Sequence, residues 1–308
     1  MDQAETLKEW MREDSAKIRP AGYRPPRVIA VTSGKGGVGK TNVVANVAIA
    51  LSRLGQRVLV LDADLGLGNI DVLLGMIPPY TLEHVLTGQK SISEVIVEGP
   101  AGIRILPTSS GTEALTALTA EQKLILLSEL DRLEREVDVF LIDTAAGISS
   151  NVIYFNMVAQ EILVVATPEP TSITDAYAVM KVLSRRYREK RFQLLVNMFR
   201  NEEEAKEVFR KLSLAADQFL GVAVELAGAI PHDDYLRMAV CQQATVVERY
   251  PHARSSRRFV DLAKTILRKP AELIPKGNAQ FLWRTLFTGD CEAPPASAGD
   301  REGGGVPG

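Results

Sequence analysis

The stretch VTSGKGGVGKT, residues 31–41, constrains this chain more than any other part of its sequence. It contains the spacing G-x-x-x-x-G-K-[ST], follows an apolar run and precedes NVVANVAIALSRLG, which has helical periodicity. Glycines let backbone N–H groups curl around an anion, and the following helix points its positive end at the same place. The stretch therefore predicts a phosphate-binding loop whose contacts come from Gly34, Lys35, Gly36, Gly37, Val38, Gly39, Lys40 and Thr41.

Two of these residues have individual roles in such a loop. Lys40 is expected to contact the β- and γ-phosphates of a nucleotide, and the Thr41 hydroxyl is expected to ligate Mg²⁺. Lys35 directly follows the first glycine and is a second lysine in the motif. A further cation beside a triphosphate would offset the charge that develops during phosphoryl transfer.

Strands and helices alternate from Arg27 to about residue 270. Seven apolar runs rich in Val, Ile and Leu are separated mostly by helical patterns, and strands without polar alternation must be buried on both faces. The sequence predicts an α/β fold: a doubly wound, mostly parallel sheet with helices on both faces. The predicted strands are RVIAVTS, RVLVLDAD, IRILPTS, VDVFLIDT, EILVVATP, FQLLVNMF and LAGAIPHD.

Acidic residues follow two of these runs. Asp62 and Asp64 follow the second run, and Asp143 follows four apolar residues of the fourth. Because parallel strands end at one edge of the sheet, these carboxylates are expected beside the phosphate loop. Asp143 and Asp62 are interpreted as acids of a Mg²⁺ site, and Asp64 as the carboxylate that orients an attacking water.

The segments SGKGGVGKT, DADLGLGNID and IDTAAGI, in this order and spacing, resemble the MinD/ParA class of dimerising P-loop ATPases, which belong to the SIMIBI group. The likeness extends over roughly residues 27–270 and implies a deviant Walker A loop, ATP and Mg²⁺ as ligands, and an ATP-bound homodimer. It also implies that Lys35 reaches the partner's phosphates, that Asp64 positions the lytic water, and that Asn197 contacts adenine.

Residues 1–19 precede a proline-rich linker, residues 20–26, and form a short amphipathic pattern. The start DQAETLK resembles the DQAxxLR element of the FlhG (FleN) family of MinD-like flagellar regulators. That resemblance implies contact with the FlhF GTPase through Asp2, Gln3, Ala4 and Leu7, although Lys8 stands where arginine is common. It also implies flagellar switch proteins or a transcription regulator as partners.

The ATPase segment, residues 27–270, is followed by NAQFLWRTLFTG within residues 271–289, and then by a Pro/Gly/Ala-rich tail, residues 290–308, which is expected to be disordered. The apolar face of NAQFLWRTLFTG predicts an interfacial helix that binds membrane reversibly. Its expected membrane contacts are Phe281, Leu282, Trp283, Leu286 and Phe287. The alternative is a helix docked on the ATPase domain.

Composition limits the other partners. A net charge of −2 provides no overall field that would attract nucleic acid, which is not expected to bind. The basic stretch SRRYREKR, residues 184–191, is interpreted as a solvated helix end. Two cysteines and a polar start favour the cytoplasm, with association at the inner face of the membrane.

The resulting hypothesis is a Mg²⁺-dependent, dimer-activated ATPase switch that regulates flagellar number or placement. Three alternatives remain open at this point: a division-site MinD-type ATPase, a ParA-type partition ATPase, and an ATP-sensing anti-activator of a flagellar transcription regulator.

Overall fold

The computed structural model describes residues 25–65, 68–108 and 118–269. The predicted N-terminal element, most of the linker, the C-terminal helix and the tail lie outside these residues. The predictions for Asp2, Gln3, Ala4, Leu7, Phe281, Leu282, Trp283, Leu286 and Phe287 therefore stay predictions.

The described part of the chain forms an eight-stranded sheet with helices on both faces, which confirms the predicted α/β fold. Its strands are β1 (Arg27–Ser33), β2 (Val58–Ala63), β3 (Val97–Glu98), β4 (Arg104–Leu106), β5 (Val139–Ala146), β6 (Glu161–Ala166), β7 (Arg191–Phe199) and β8 (Ala223–Pro231). They lie in the order β3-β4-β2-β5-β1-β6-β7-β8. All seven predicted strands are present.

The helices are α1 (Lys40–Arg53), α2 (Ile70–Leu73), α3 (Leu82–Leu86), α4 (Ile92–Val95), α5 (Ala120–Arg132), α6 (Ser150–Val158), α7 (Pro170–Tyr187), α8 (Glu202–Leu220), α9 (Asp234–Cys241), α10 (Val246–Arg249) and α11 (Arg254–Arg268). The sequence did not predict β3, a two-residue strand that pairs antiparallel with β4. So short a strand has too few residues to show a periodic pattern.

Alternate residues of each central strand face different helix layers. In β1, Ile29 and Val31 pack with α1 and α11, whereas Ala30 packs with the layer that contains α6. A third cluster joins β6 and β7 to α7 and α8. Because both faces are covered, the strands are apolar throughout, as the parallel-sheet prediction requires.

Strand order decides where the phosphate loop lies. β1 occupies the middle of the sheet, between β5 and β6, and pairs in parallel with both. β2 lies on the far side of β5. The loop after β1 is therefore flanked by the carboxyl ends of β5 and β6, which is where open α/β sheets bind ligands.

Candidate nucleotide site

The phosphate loop has the backbone that its glycines predict. Gly37 and Gly39 adopt φ values of 77° and 88°, in the left-handed region that favours glycine. Gly39 is the N-cap of α1, which starts at Lys40 and has neither a side-chain cap nor an acidic residue in its first turn. Among the described residues, no side chain caps these N–H groups, so they suit an anion.

Lys40 is buried at the base of the loop. Its Nζ donates to Ser33 Oγ over 2.8 Å, and the Ser33 hydroxyl donates to the carbonyl oxygen of Lys35 over 2.8 Å. Burial lowers the pKa of Lys40, while the charges of Asp143 and Asp64 act in the opposite direction. The lysine is thus held among carboxylates inside a poorly solvated site, where its charge interacts strongly with an anion.

The two strand-end acids Asp62 and Asp143 are neighbours across β2 and β5. The carboxylate of Asp62 accepts backbone N–H bonds from Asp64 at 3.1 Å and from Asn69 at 2.8 Å. Burial first, and then the charge of Asp143, raises the pKa of Asp62 to about 8. Asp62 therefore organises the turn that follows β2 through its bonds to backbone N–H groups.

Asp143 has one oxygen without a partner. Burial raises its pKa to about 7, although a hydrogen bond from Thr41 and the charge of Lys40 both favour the ionised form. In the described part of the chain, Asp143 Oδ1 has no hydrogen-bond partner. A buried carboxylate oxygen without a partner is costly, so this atom is suited to a ligand that the site is built to receive.

Asp64 lies one residue beyond β2 and is half-buried. Its charge raises the pKa of both Lys40 and Asp143, which places the carboxylate within electrostatic reach of the phosphate loop. The structure thus brings together three segments that are far apart in the sequence: the phosphate loop, the turn with Asp62 and Asp64, and Asp143.

Two close backbone approaches shape the loop. A Cβ on Gly34 would lie 2.1 Å from the carbonyl oxygen of Asp175 in α7, and one on Gly39 would lie 2.6 Å from Asn197 Nδ2. Asn197 itself donates to the carbonyl oxygen of Val38 over 2.8 Å. The asparagine at the end of β7 therefore supports the loop from the side, and its predicted contact with adenine remains a prediction.

Lys35 lies at the accessible rim of the site. Its side chain is 37% exposed, forms an ion pair with Glu169, and donates to Thr171 Oγ1 over 3.0 Å. Ser33, Glu169 and Thr171 were not among the predicted site residues. Glu169 and Thr171 begin α7 after β6, and only the order of the strands reveals that β6 adjoins β1.

The residues present fit a magnesium nucleotide. Among the described residues there is no cluster of three or more His, Cys, Asp or Glu side chains that would form an all-protein metal cage. Mg²⁺ is usually held by one or two carboxylates together with substrate phosphates and water. Thr41 and the free oxygen of Asp143, beside an anion-binding loop, match that donor set.

Within the described ranges, none of the helices combines the length and the apolar character that crossing a bilayer requires.

Comparison with known proteins agrees with this geometry. A family model described as an AAA domain matches residues 26–196. The antiactivator FleN of Pseudomonas aeruginosa is 45% identical over 262 residues, which cover 85% of this chain and 94% of that protein. The flagellum site-determining protein YlxH of Helicobacter pylori is 31% identical, with 85% of this chain and 90% of that protein covered.

Solved structures show the same fold. The septum site-determining protein MinD of Pyrococcus horikoshii, solved with Mg-ADP, superposes with a TM-score of 0.63 at 25% identity. The superposition covers 79% of this chain and 96% of that one. Together with the phosphate loop and its second lysine, these matches show that the chain belongs to the FleN/FlhG group of the MinD/ParA family of P-loop ATPases.

Proposed function

We propose that this protein is an ATP-dependent dimerising switch that hydrolyses ATP and regulates the number or placement of flagella. The observation that carries the ATPase part is the joint position of Lys40, Asp143 and Asp64 at a loop built to bind phosphate. The Mg-ADP bound to the related MinD of Pyrococcus horikoshii supports a nucleotide at this place.

Each residue of the site contributes a separate effect. The N–H groups of Gly34 to Thr41 bind the phosphates, and Lys40 offsets charge on the transferred group. Thr41, Asp143 and Asp62 would hold Mg²⁺. Bound Mg²⁺ would supply positive charge to the phosphate oxygens and orient them. Asp64 accepts a hydrogen bond from the attacking water and so directs it towards the phosphate.

Lys35 acts on the partner protomer's nucleotide. Its ion pair with Glu169 joins two substantially exposed side chains, and such pairs contribute little to stability. The lysine can therefore exchange Glu169 for a phosphate at small cost. A cation supplied by the partner makes hydrolysis depend on dimerisation, as arginine fingers do in other phosphate-transfer enzymes.

Asn197 lies beside the loop and would contact adenine through the edge of its side chain that is not bonded to Val38. Nδ2 donates one hydrogen to Val38 and Oδ1 accepts from Met198, so the contact with adenine would use the second amide hydrogen or the second lone pair.

Mixing two inactive variants tests the switch. Lys35→Ala and Asp64→Ala should each abolish turnover of ATP when assayed alone. A mixed dimer contains one complete site, formed by Asp64 of one protomer and Lys35 of the other. An equimolar mixture should recover about a quarter of wild-type turnover, since half of randomly formed dimers are mixed and each has one active site. If the mixture stays inactive, Lys35 does not act across a dimer.

The flagellar assignment is supported by the names of two relatives, the antiactivator FleN and the flagellum site-determining protein YlxH. We propose that residues 1–19 stimulate GTP hydrolysis by FlhF through Asp2, Gln3, Ala4 and Leu7. A peptide of residues 1–20 should accelerate FlhF, and the Gln3→Ala peptide should not. Equal rates with both peptides, or no stimulation by either, would contradict this contact.

Membrane binding is assigned to residues 271–289 in a protein that is otherwise cytoplasmic. One short interfacial helix binds membrane weakly, whereas two helices held together by a dimer bind much more strongly. ATP-dependent dimerisation would thereby control where the protein resides. Phe281, Leu282, Trp283, Leu286 and Phe287 would enter the lipid.

A second candidate is an ATP sensor that restrains a flagellar transcription regulator, and the 45% identity to the antiactivator FleN favours it. Asp64→Ala separates the two because it stops hydrolysis but leaves the phosphate loop intact. If the protein is a cycling switch, this variant no longer controls the number or placement of flagella. If it is a sensor, the variant still restrains the transcription regulator while ATP is bound. Division-site placement and DNA partitioning have less support, because the flagellar relative shares so much of the sequence.

A further inference from the structure

The end of α7 and the turn into β7 carry a concentration of exposed cations. Five basic residues occur in SRRYREKR, residues 184–191, and Lys181 precedes them on the same helix. Lys181, Arg185, Arg186, Arg188 and Lys190 are all exposed. The carboxylate in this stretch, Glu189, is buried and accepts the backbone N–H of Lys190 over 2.9 Å. It therefore presents little negative charge to a partner.

These cations lack the ion pairs that basic residues have on the neighbouring helix. In the part of the chain that the structure describes, Lys181, Arg186, Arg188 and Lys190 form no ion pair with a carboxylate. On α8 the corresponding cations are paired within the helix, Lys206 with Glu203, and both Arg210 and Lys211 with Glu207.

An exposed aromatic residue, Phe219 at the end of α8, contacts the basic stretch through Arg185. The Arg185 guanidinium donates to the carbonyl oxygen of Phe219 over 2.7 Å, which joins the ends of α7 and α8. The Phe219 side chain is 57% exposed. An exposed apolar ring on the same side of a domain as several arginines and lysines is a combination found where proteins meet the membrane–water interface.

Fold stability alone does not account for this arrangement. One or two cations at a helix C-terminus stabilise the helix through its dipole. Further cations repel one another, and Lys181 and Arg185 are spaced four residues apart, where like charges destabilise a helix. The excess positive charge is therefore available for an interaction with an anionic partner.

We propose that Lys181, Arg185, Arg186, Arg188, Lys190 and Phe219, here called the basic patch, bind the headgroups of an anionic lipid surface. The charge is complementary to acidic lipids, and Phe219 is placed to enter the interfacial region. This inference rests on the proposed membrane association and adds a second contact to it, within the folded domain.

The position of the chain end supports a lipid partner. Lys269, the last described residue, donates to Glu225 in β8 over 2.8 Å, and Glu225 is in register with Gln193 in β7. The described chain thus ends beside the first residues of β7 and β8, on the side of the sheet where the basic patch precedes β7.

Vesicle binding with matched charge removal tests the proposal. The patch variant is Lys181→Gln, Arg186→Gln and Lys190→Gln, which spares the Arg185 bond and the left-handed backbone of Arg188. The control variant is Lys206→Gln, Arg210→Gln and Lys211→Gln, which removes the same charge from the neighbouring helix. Each full-length protein with ATP is sedimented with phosphatidylglycerol/phosphatidylcholine vesicles and with pure phosphatidylcholine vesicles, and its ATP turnover and thermal unfolding are measured alongside.

Each cation near an anionic leaflet contributes favourable binding free energy. Because the patch variant lacks three cations, it should partition onto phosphatidylglycerol vesicles at least tenfold less than the wild type. The control variant should stay within about twofold of the wild type, because its cations are already neutralised. Equal losses in both variants would overturn the proposal. So would a patch variant that keeps vesicle binding but loses a salt-sensitive affinity for duplex DNA, which would reassign the patch to nucleic acid.

Two further variants separate this inference from the proposal on which it rests. Phe219→Ser should weaken vesicle binding without changing charge, which supports the patch even if the triple variant is unstable. Trp283→Asp tests the C-terminal segment alone: unchanged vesicle binding in that variant contradicts the segment's role and leaves the patch result standing.

Discussion

Asn197 Nδ2 donates a hydrogen bond of 2.8 Å to the carbonyl oxygen of Val38, which ties the carboxyl end of β7 to the phosphate loop. The same side chain accepts a hydrogen bond from the N–H of Met198 over 3.0 Å, and only 4% of the residue is exposed to solvent. A residue expected to read the base of a nucleotide thus has a structural contact with the loop that holds the phosphates. The loop conformation depends on a strand that lies two places away from β1 in the sheet.

Replacing Asn197 by Ala should therefore lower both the affinity for every nucleotide and the stability of the fold. The change leaves the Val38 carbonyl without its donor, and an unsatisfied buried group costs about 1–3 kcal/mol. Affinities for ATP and GTP should fall by similar factors, as measured by calorimetry beside urea unfolding. A selective loss of ATP affinity with unchanged unfolding would instead support the predicted adenine contact.

Gly34 and Gly36 provide a matched pair within the phosphate loop. Gly34→Ala places a Cβ 2.1 Å from the Asp175 carbonyl oxygen, so the loop must move away from α7. We expect loss of ATP binding and a lower unfolding temperature. Gly36→Ala meets no atom within 4 Å and should keep the unfolding temperature of the wild type. Comparable unfolding temperatures for the two variants would show that the close approach to α7 has little effect on stability.

The acids of the site should make the ligand-free protein less stable as pH rises. The folded-state pKa of Asp62 is raised to about 8, and that of Asp143 to about 7, so the folded state holds protons that the unfolded state has released. Their stabilising contribution is complete below the ordinary pKa of Asp and is lost as pH rises through these values. The free energy of unfolding should fall from about pH 5 to about pH 8.

Asp143→Asn is the control for this pH dependence, since it removes one titrating group and its repulsion of Asp62. The curve of unfolding free energy against pH should become flatter. A slope equal to that of the wild type would assign the effect to other groups. The lowered pKa of Lys40 acts in the opposite direction, with stability rising with pH, so the wild type and Asp143→Asn are compared over the same pH range.

A buried ion pair at the amino ends of the strands, away from the phosphate loop, joins β1 to β6. Arg27 and Glu161 pair with side chains only 8% exposed, and the Arg27 guanidinium also donates to the carbonyl oxygen of Lys269 over 3.0 Å. Glu161→Ala should destabilise the protein by about 3–5 kcal/mol, because it leaves a buried charge without its partner.

The double variant Arg27→Met with Glu161→Leu should lose clearly less stability than Glu161→Ala, since it leaves no unpaired charge. Guanidinium unfolding of the two variants measures the difference. If the double variant is the less stable of the two, the pair contributes net stability rather than avoiding a penalty. ATP turnover in both should stay near wild type at low temperature, as the pair lies away from the phosphate loop.

The sequence by itself determined the local features of this protein. Gly37, Gly39 and Lys40 predict the phosphate loop. The positive φ values of the two glycines and the helix start at Lys40 are local features, so the nearby sequence is enough to predict them. The seven apolar runs predict the parallel sheet, because strands buried on both faces consist almost entirely of apolar residues. Asp62, Asp64 and Asp143 were identified because they lie at the carboxyl ends of such runs.

The tertiary structure decided which distant residues meet. Glu169 and Thr171 hold Lys35, and Asn197 supports Val38, only because β6 and β7 lie next to β1 and β6 respectively. Many strand orders bury the same apolar runs equally well, so periodicity carries no information about them. The unpaired basic patch likewise depends on two helix ends converging at Arg185 and Phe219, a contact set by packing between α7 and α8 rather than by either sequence alone.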